Sequence, residues 1–178
     1  MKPILSVREI EPSDIKLITD YWINANEEFL KSMGADINKI PAKEEWNQML
    51  LEQLDQPYHE KKSYCTIWMN NGEPVGHCNV NKIIFGEEAY MHLHLWNDVN
   101  RQKGTGVEFV KMSIPWFFKN LDLKILYCEP YASNPAPNIT LQKIGFTFVK
   151  EYRTIPGYLN FEQPVKLWKL DREQVPHY

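Results

Sequence analysis

The stretch "MHLHLWNDVNRQKGTGVEFVKM", Met91 to Met112, constrains the fold more than any other. Its opening residues alternate as a strand does, and from about Thr105 its apolar residues fall at helical spacing. Gly104 and Gly106 stand at the handover, behind Arg101 and Lys103. A helix N-terminus carries unpaired N–H groups and about half a positive charge. Glycines there let a ligand come close to the backbone, and that combination binds phosphate or pyrophosphate. The same pair also suits an ordinary turn. Two better-known phosphate loops are absent: Gly104 and Gly106 are followed by Phe109 where a dinucleotide fingerprint needs Gly or Ala, and no G-x-x-x-x-G-K-[ST] occurs.

The rest of the chain supplies a sheet for that unit to sit in. "ILSVREI" (4–10) reads as a strand, and 12–32 as a helix capped by Ser13 or Asp14. Pro41 opens a second helix to about Leu54. Strands follow at 62–70, at "PVGHCNVNKI" and at 88–96, the first two joined by the hairpin signal Asn71-Gly72. A helix over about 105–120 carries Val107, Val110, Ile114, Phe117, Phe118 and Leu121 on one side. Pro115 lies inside it and is expected to kink or shorten it. "LKILYCEPY" (123–131) is an apolar strand of the fully buried kind. A short helix then ends at Gly145, and "FTFVKEYRTI" and "QPVKLWKL" are the last strands. The order β-α-α-β-β-β-α-β-α-β-β describes a mixed α/β fold in one domain spanning residues 1–178.

Composition narrows the function. A net charge of −3 argues against a general nucleic-acid binder. Cys65, Cys78 and Cys128 are odd in number, lack a CxxC pair and read as reduced core thiols. The N-terminus lacks the apolar core of a signal peptide, and no apolar run reaches the ~18 residues of a membrane span. The expected location is the cytoplasm.

The arrangement strand–"NDVNRQKGTG"–helix–strand–"N…GF" resembles the GNAT superfamily of acyl-CoA-dependent N-acetyltransferases. Its Q/R-x-x-G-x-G/A signature matches Arg101 to Gly106, and Asn134 and Gly145-Phe146 match the later Asn and Gly-Phe. The early "D…L…W" helix and the final "VKLWKL" look like the branch that acetylates ribosomal-protein N-termini. The resemblance implies a mostly antiparallel sheet of six or seven strands, a splayed parallel pair in its middle, and about four helices. It implies acetyl-CoA as co-substrate, no metal, and direct transfer to a peptide or small-molecule amine, and it admits a homodimer. Amides of Gln102, Lys103, Gly104, Thr105 and Gly106 would hold the pyrophosphate. Arg101 or Lys103 would lie near the nucleotide phosphates. Leu95 and Trp96 would pair with the pantetheine arm, Asn134 would face it, and a backbone N–H near Leu95 or Trp96 would meet the thioester oxygen.

Proton transfer needs further groups. A protonated amine has no lone pair, so something must accept its proton. His92 and His94 lie two apart on a strand, hence on one face and about 6.5–7 Å from each other. Imidazole titrates near neutrality, and some family members carry such a pair on this strand. The two also suit packing beside Trp96. Two ligands without a third do not make a metal site. Many family members carry a Tyr four residues before the Gly of the Gly-Phe pair; Leu141 stands there, and Pro137 replaces a common Ser. Tyr131 is the substitute acid, or a rim aromatic. Glu27, Glu28 and Phe29, with Trp22 and Trp46, would attract a cationic amine, or the Glu pair is simply solvated. A non-catalytic acyl-CoA-binding module is the alternative function.

Overall fold

The computed structural model describes residues 3–96 and 104–175. Seven strands, β1 (Leu5–Glu9), β2 (Tyr64–Asn70), β3 (Glu73–Ile84), β4 (Glu88–Leu95), β5 (Ile125–Cys128), β6 (Thr147–Thr154) and β7 (Gln163–Asp171), form one sheet. Their order is β1-β2-β3-β4-β5-β7-β6. Every neighbouring pair is antiparallel except β4 beside β5. Five helices flank it: α1 (Ile15–Ile23), α2 (Glu27–Ser32), α3 (Lys43–Leu54), α4 (Thr105–Asn120) and α5 (Pro135–Ile144).

Local chemistry explains the layout. Asn71 and Gly72 have φ of 53° and 85°, the left-handed pair that a tight hairpin demands between β2 and β3. The apolar stripe of α4 packs Phe109, Val110, Ile114 and Phe117 onto one face of the sheet, against Val80, Met91 and Leu126. The indole of Trp68 stacks on Phe109 at 5.1 Å and donates to Ser113 Oγ at 2.9 Å, so its polar edge is satisfied in the core. On the opposite face Ile18, Trp22, Leu30 and Trp46 cover Cys65 and Ile67. All three cysteines are buried and free.

Three elements differ from expectation. The helix expected over 12–32 is broken in two. Asn26 opens α2, its Oδ1 accepting the Phe29 N–H at 2.8 Å, because a short amide side chain bonds the local backbone in place of continuing a helix. Pro115 does not end α4, which runs on to Asn120; Ile114, Phe117 and Phe118 are buried on both sides of it, and that packing holds the helix together. The apolar strand expected over 123–131 is shorter: β5 stops at Cys128, Pro130 has no N–H to give, and Tyr131 makes only an isolated bridge to Val165 of β7.

Candidate active site

The parallel pair separates in mid-sheet. β4 and β5 pair at Glu88↔Ile125, Ala89↔Leu126 and Tyr90↔Tyr127, and no further. β4 continues to Leu95 beside β3, while the chain after β5 follows β7. At the vertex the Cys128 thiol bonds the Met91 carbonyl at 3.1 Å. Trp96 N–H donates to Val75 O at 2.9 Å, so it faces β3. Strand alternation then turns the main-chain groups of Met91, Leu93 and Leu95 toward the opening. Of the two positions expected to meet a thioester, Leu95 turns its main-chain groups toward the opening and Trp96 turns its N–H toward β3.

α4 begins beside this opening. Gly104 is its N-cap, with φ of 70°, a backbone only glycine adopts cheaply. Gly106 needs no such freedom. A Cβ built there would meet only Leu95 Cδ1, at 3.8 Å, an ordinary contact. Among the described residues, no atom crowds the backbone of Gly104 or Gly106. Arg101, Gln102 and Lys103, expected to join this site, lie outside the described residues. Thr105 is buried in the first turn.

The other rim is the start of α5. Asn134 is its N-cap residue, yet its side chain does not cap the helix. Asn138 stabilises the turn instead: its Nδ2 donates to Tyr131 O at 3.2 Å and Asn134 O at 2.8 Å, and its Oδ1 accepts from Trp168 Nε1 at 2.9 Å. Tyr131 is half-buried, its ring edge-on to Phe161 at 6.0 Å. Leu141 is fully buried in the core, so no acid stands at the family's tyrosine position.

Period two places Tyr90, His92, His94 and Trp96 on the face away from α4. The two histidines there have different partners. His92 Nε2 lies 3.1 Å from Asn81 Oδ1, and burial, with Lys82 nearby, pushes its pKa down to about 4. His94 stacks on His77 at 4.8 Å and meets the rings of Trp22 at 4.9 Å and Tyr21 at 5.7 Å. Trp96 Nε1 donates to His77 Nδ1 at 2.7 Å, which puts the proton of the neutral ring on Nε2. Burial holds His77 neutral, with a pKa near 3.

His77 had no visible role in the sequence. The β3–β4 register, which shifts between Asn81 and Ile84, brings it opposite His94. Glu129 was also missed. Its side chain is buried on the His92 face, beyond the stacked Tyr90 and Tyr127. The Tyr152 hydroxyl donates to one oxygen and Lys82 Nζ lies 3.4 Å from the other. Desolvation raises its pKa, against the pull of Lys82. The signal was a lone charge ending an apolar strand. Of the expected amine-attracting wall, Tyr21 bridges Phe29 to the histidines and Trp46 packs on Trp22. Glu27 and Glu28 point to solvent, Glu27 paired with Lys31 at 2.7 Å, as the solvated alternative has it.

A sheet that opens between two parallel strands, next to a glycine-cleared helix start, defines a class of proteins that hold an extended phosphate-bearing cofactor edge-on. The chain belongs to the acetyltransferase (GNAT) domain family, whose model matches residues 5–147. It is similar in fold to a ribosomal-protein-S5-alanine acetyltransferase from Vibrio fischeri, at 19% identity and a TM-score of 0.76, over 99% of this chain and 100% of that one. It is similar likewise to a spermidine N-acetyltransferase from Vibrio cholerae in complex with CoA and spermine, at 15% identity and a TM-score of 0.77, over 96% and 97%. An aminoglycoside acetyltransferase, AAC(6′)-Ib, in complex with coenzyme A shares the fold at 18% identity and a TM-score of 0.72, over 96% of each. No curated protein matches the chain in sequence. Among the described residues no cluster of three or more His, Cys, Asp or Glu could hold a metal ion, and no helix is long and apolar enough to cross a membrane.

Proposed function

We propose that the protein transfers an acetyl group from acetyl-CoA to a primary amine, directly, in a ternary complex. The amine nitrogen attacks the thioester carbon, the C–S bond breaks, the thiolate of coenzyme A leaves, and the amine gives up a proton. The divergence of β4 from β5 carries this reading, because it leaves main-chain groups of β4 facing an opening that a pantetheine arm can pair with.

The residues take these roles. Gly104, Thr105 and Gly106, with Arg101, Gln102 and Lys103 ahead of them, hold the pyrophosphate. Leu95 and its strand hold the pantetheine, and Asn134 meets it from the other rim. The Leu95 amide, in place of the Trp96 amide, steadies the thioester oxygen. His94 receives the amine proton. His92, held neutral and bonded to Asn81, is a weaker base and serves as a polar neighbour. Tyr131 lies at the rim from which a hydroxyl can protonate the leaving thiolate. The acceptor is a peptide N-terminus or a small-molecule amine, since the proteins that share the fold include acetyltransferases named for a ribosomal protein, spermidine and aminoglycosides. Three buried free thiols favour a reducing cytoplasmic setting.

A second reading, a non-catalytic acyl-CoA-binding module, draws on one observation: Leu141, buried in the core, leaves the family's tyrosine position without an acid. The two separate in one assay. Acetyl-CoA is mixed with the protein and a panel of peptides, polyamines and aminoglycosides, and free thiol is followed. An enzyme releases thiol with at least one acceptor class; the module binds coenzyme A and releases none.

A further inference from the structure

At the other end of the sheet lies a cavity of about 220 Å³ that the acyl-transfer site does not use. It sits where β1 ends and β2 begins, near Glu9↔Thr66 and Tyr64↔Val80, whereas the active site lies past Gly76↔Leu95. Two opposite charges face it. The first is Glu9. Its Oε1 accepts from Tyr58 Oη at 2.7 Å, Tyr64 Oη at 2.6 Å and Asn120 Nδ2 at 3.4 Å. The hydroxyls stay protonated beside the carboxylate, Tyr58 pushed up to about 12 by that bond. Its Oε2 has no hydrogen-bond partner among the described residues.

The second charge is Lys61, only 8% exposed. Its ammonium donates to the Gln53 carbonyl and, at 3.2 Å, to the Leu54 carbonyl at the end of α3. The ammonium also lies 5.9 Å from the centroid of the Tyr58 ring, and among the described residues it has no carboxylate partner. Desolvation lowers its pKa, and the field of Glu9 opposes that shift without an ion pair forming between them. Closing the end of α3 accounts for two of the three hydrogens. It does not account for a carboxylate held by three donors across the same cavity, with one oxygen left open. The space between the charges is walled by Ile10, Leu50, Leu54 and Pro57.

We propose that this cavity is a second, non-catalytic binding site for a small zwitterion, an α-amino acid with an aliphatic side chain, its ammonium at Glu9 and its carboxylate at Lys61. Half-buried Glu9 and buried Lys61 then each gain an opposite charge, and the aliphatic body replaces water against the apolar wall. The volume suits one such molecule.

Equilibrium dialysis of the full chain against radiolabelled L-leucine, L-valine and L-methionine tests this. At least one is expected to bind saturably with one site per chain, undiminished by saturating coenzyme A. The half-ligands 3-methylbutylamine and 4-methylpentanoate each carry one of the two charges and are expected to compete at least 10-fold more weakly than leucine. Glu9→Gln keeps an acceptor for the three donors and removes the charge; it is expected to weaken binding at least 10-fold at unchanged melting temperature. Lys61→Met is expected to do the same, with the fold checked independently because α3 loses a contact. No saturable binding by any of the three, or binding that Glu9→Gln leaves intact, overturns the proposal.

Discussion

His94 is surrounded by rings: Trp22 edge-on, Tyr21 tilted, His77 stacked. That packing fixes the imidazole at the end of β4. His94→Phe keeps a ring in the cluster and removes the base. Turnover is expected to fall about 10²-fold or more, the usual contribution of a general base, while KM for acetyl-CoA stays within a factor of about two. An unchanged kcat across pH 6 to 9 would acquit the histidine. At this scale the sequence was half legible. His92 and His94 on one strand face followed from period two. His77 and Glu129 did not, because their neighbours come from other strands: His77 through the β3–β4 register, Glu129 through Lys82 and Tyr152, far away in the chain.

The start of α4 carries the clearest element-level signal. A glycine in a helix costs roughly 0.5–1 kcal/mol relative to alanine, and among the described residues Gly106 has no neighbour that forbids a side chain. The proposed function accounts for it by a ligand that must reach the backbone. Gly106→Ala is therefore expected to leave stability equal or raised by up to about 1 kcal/mol while weakening coenzyme A binding 10-fold or more, read by calorimetry. Equal affinity would return the glycine to an ordinary turn. The helix was legible from its apolar stripe, and its span is the one expected; Pro115 does not shorten it, because core packing outweighs the lost backbone bond. The division of α1 from α2 was hidden for the converse reason. Asn26 is a good cap and a tolerable helix residue, and only its bond to Phe29 decides between them.

The molecule as a whole is a sheet opened between β4 and β5, with helices on both faces and an acyl-transfer family's motif at the opening. Strand order could be expected only through the family resemblance, since pairing across the crossover leaves no periodic trace in one chain. What the resemblance did not contain was the departure at Leu141, which the core explains: the position faces buried apolar side chains, not the slot. The direction of the Trp96 amide also needed the register with β3. The most direct measurement is a crystal structure of the protein grown with coenzyme A. The account predicts the diphosphate on the amides that open α4 and the pantetheine paired along β4 at Leu93 and Leu95, its sulfur near the Tyr131 rim. Coenzyme A bound elsewhere, or an opening closed by pairing of β4 to β5 beyond Tyr90↔Tyr127, would contradict it.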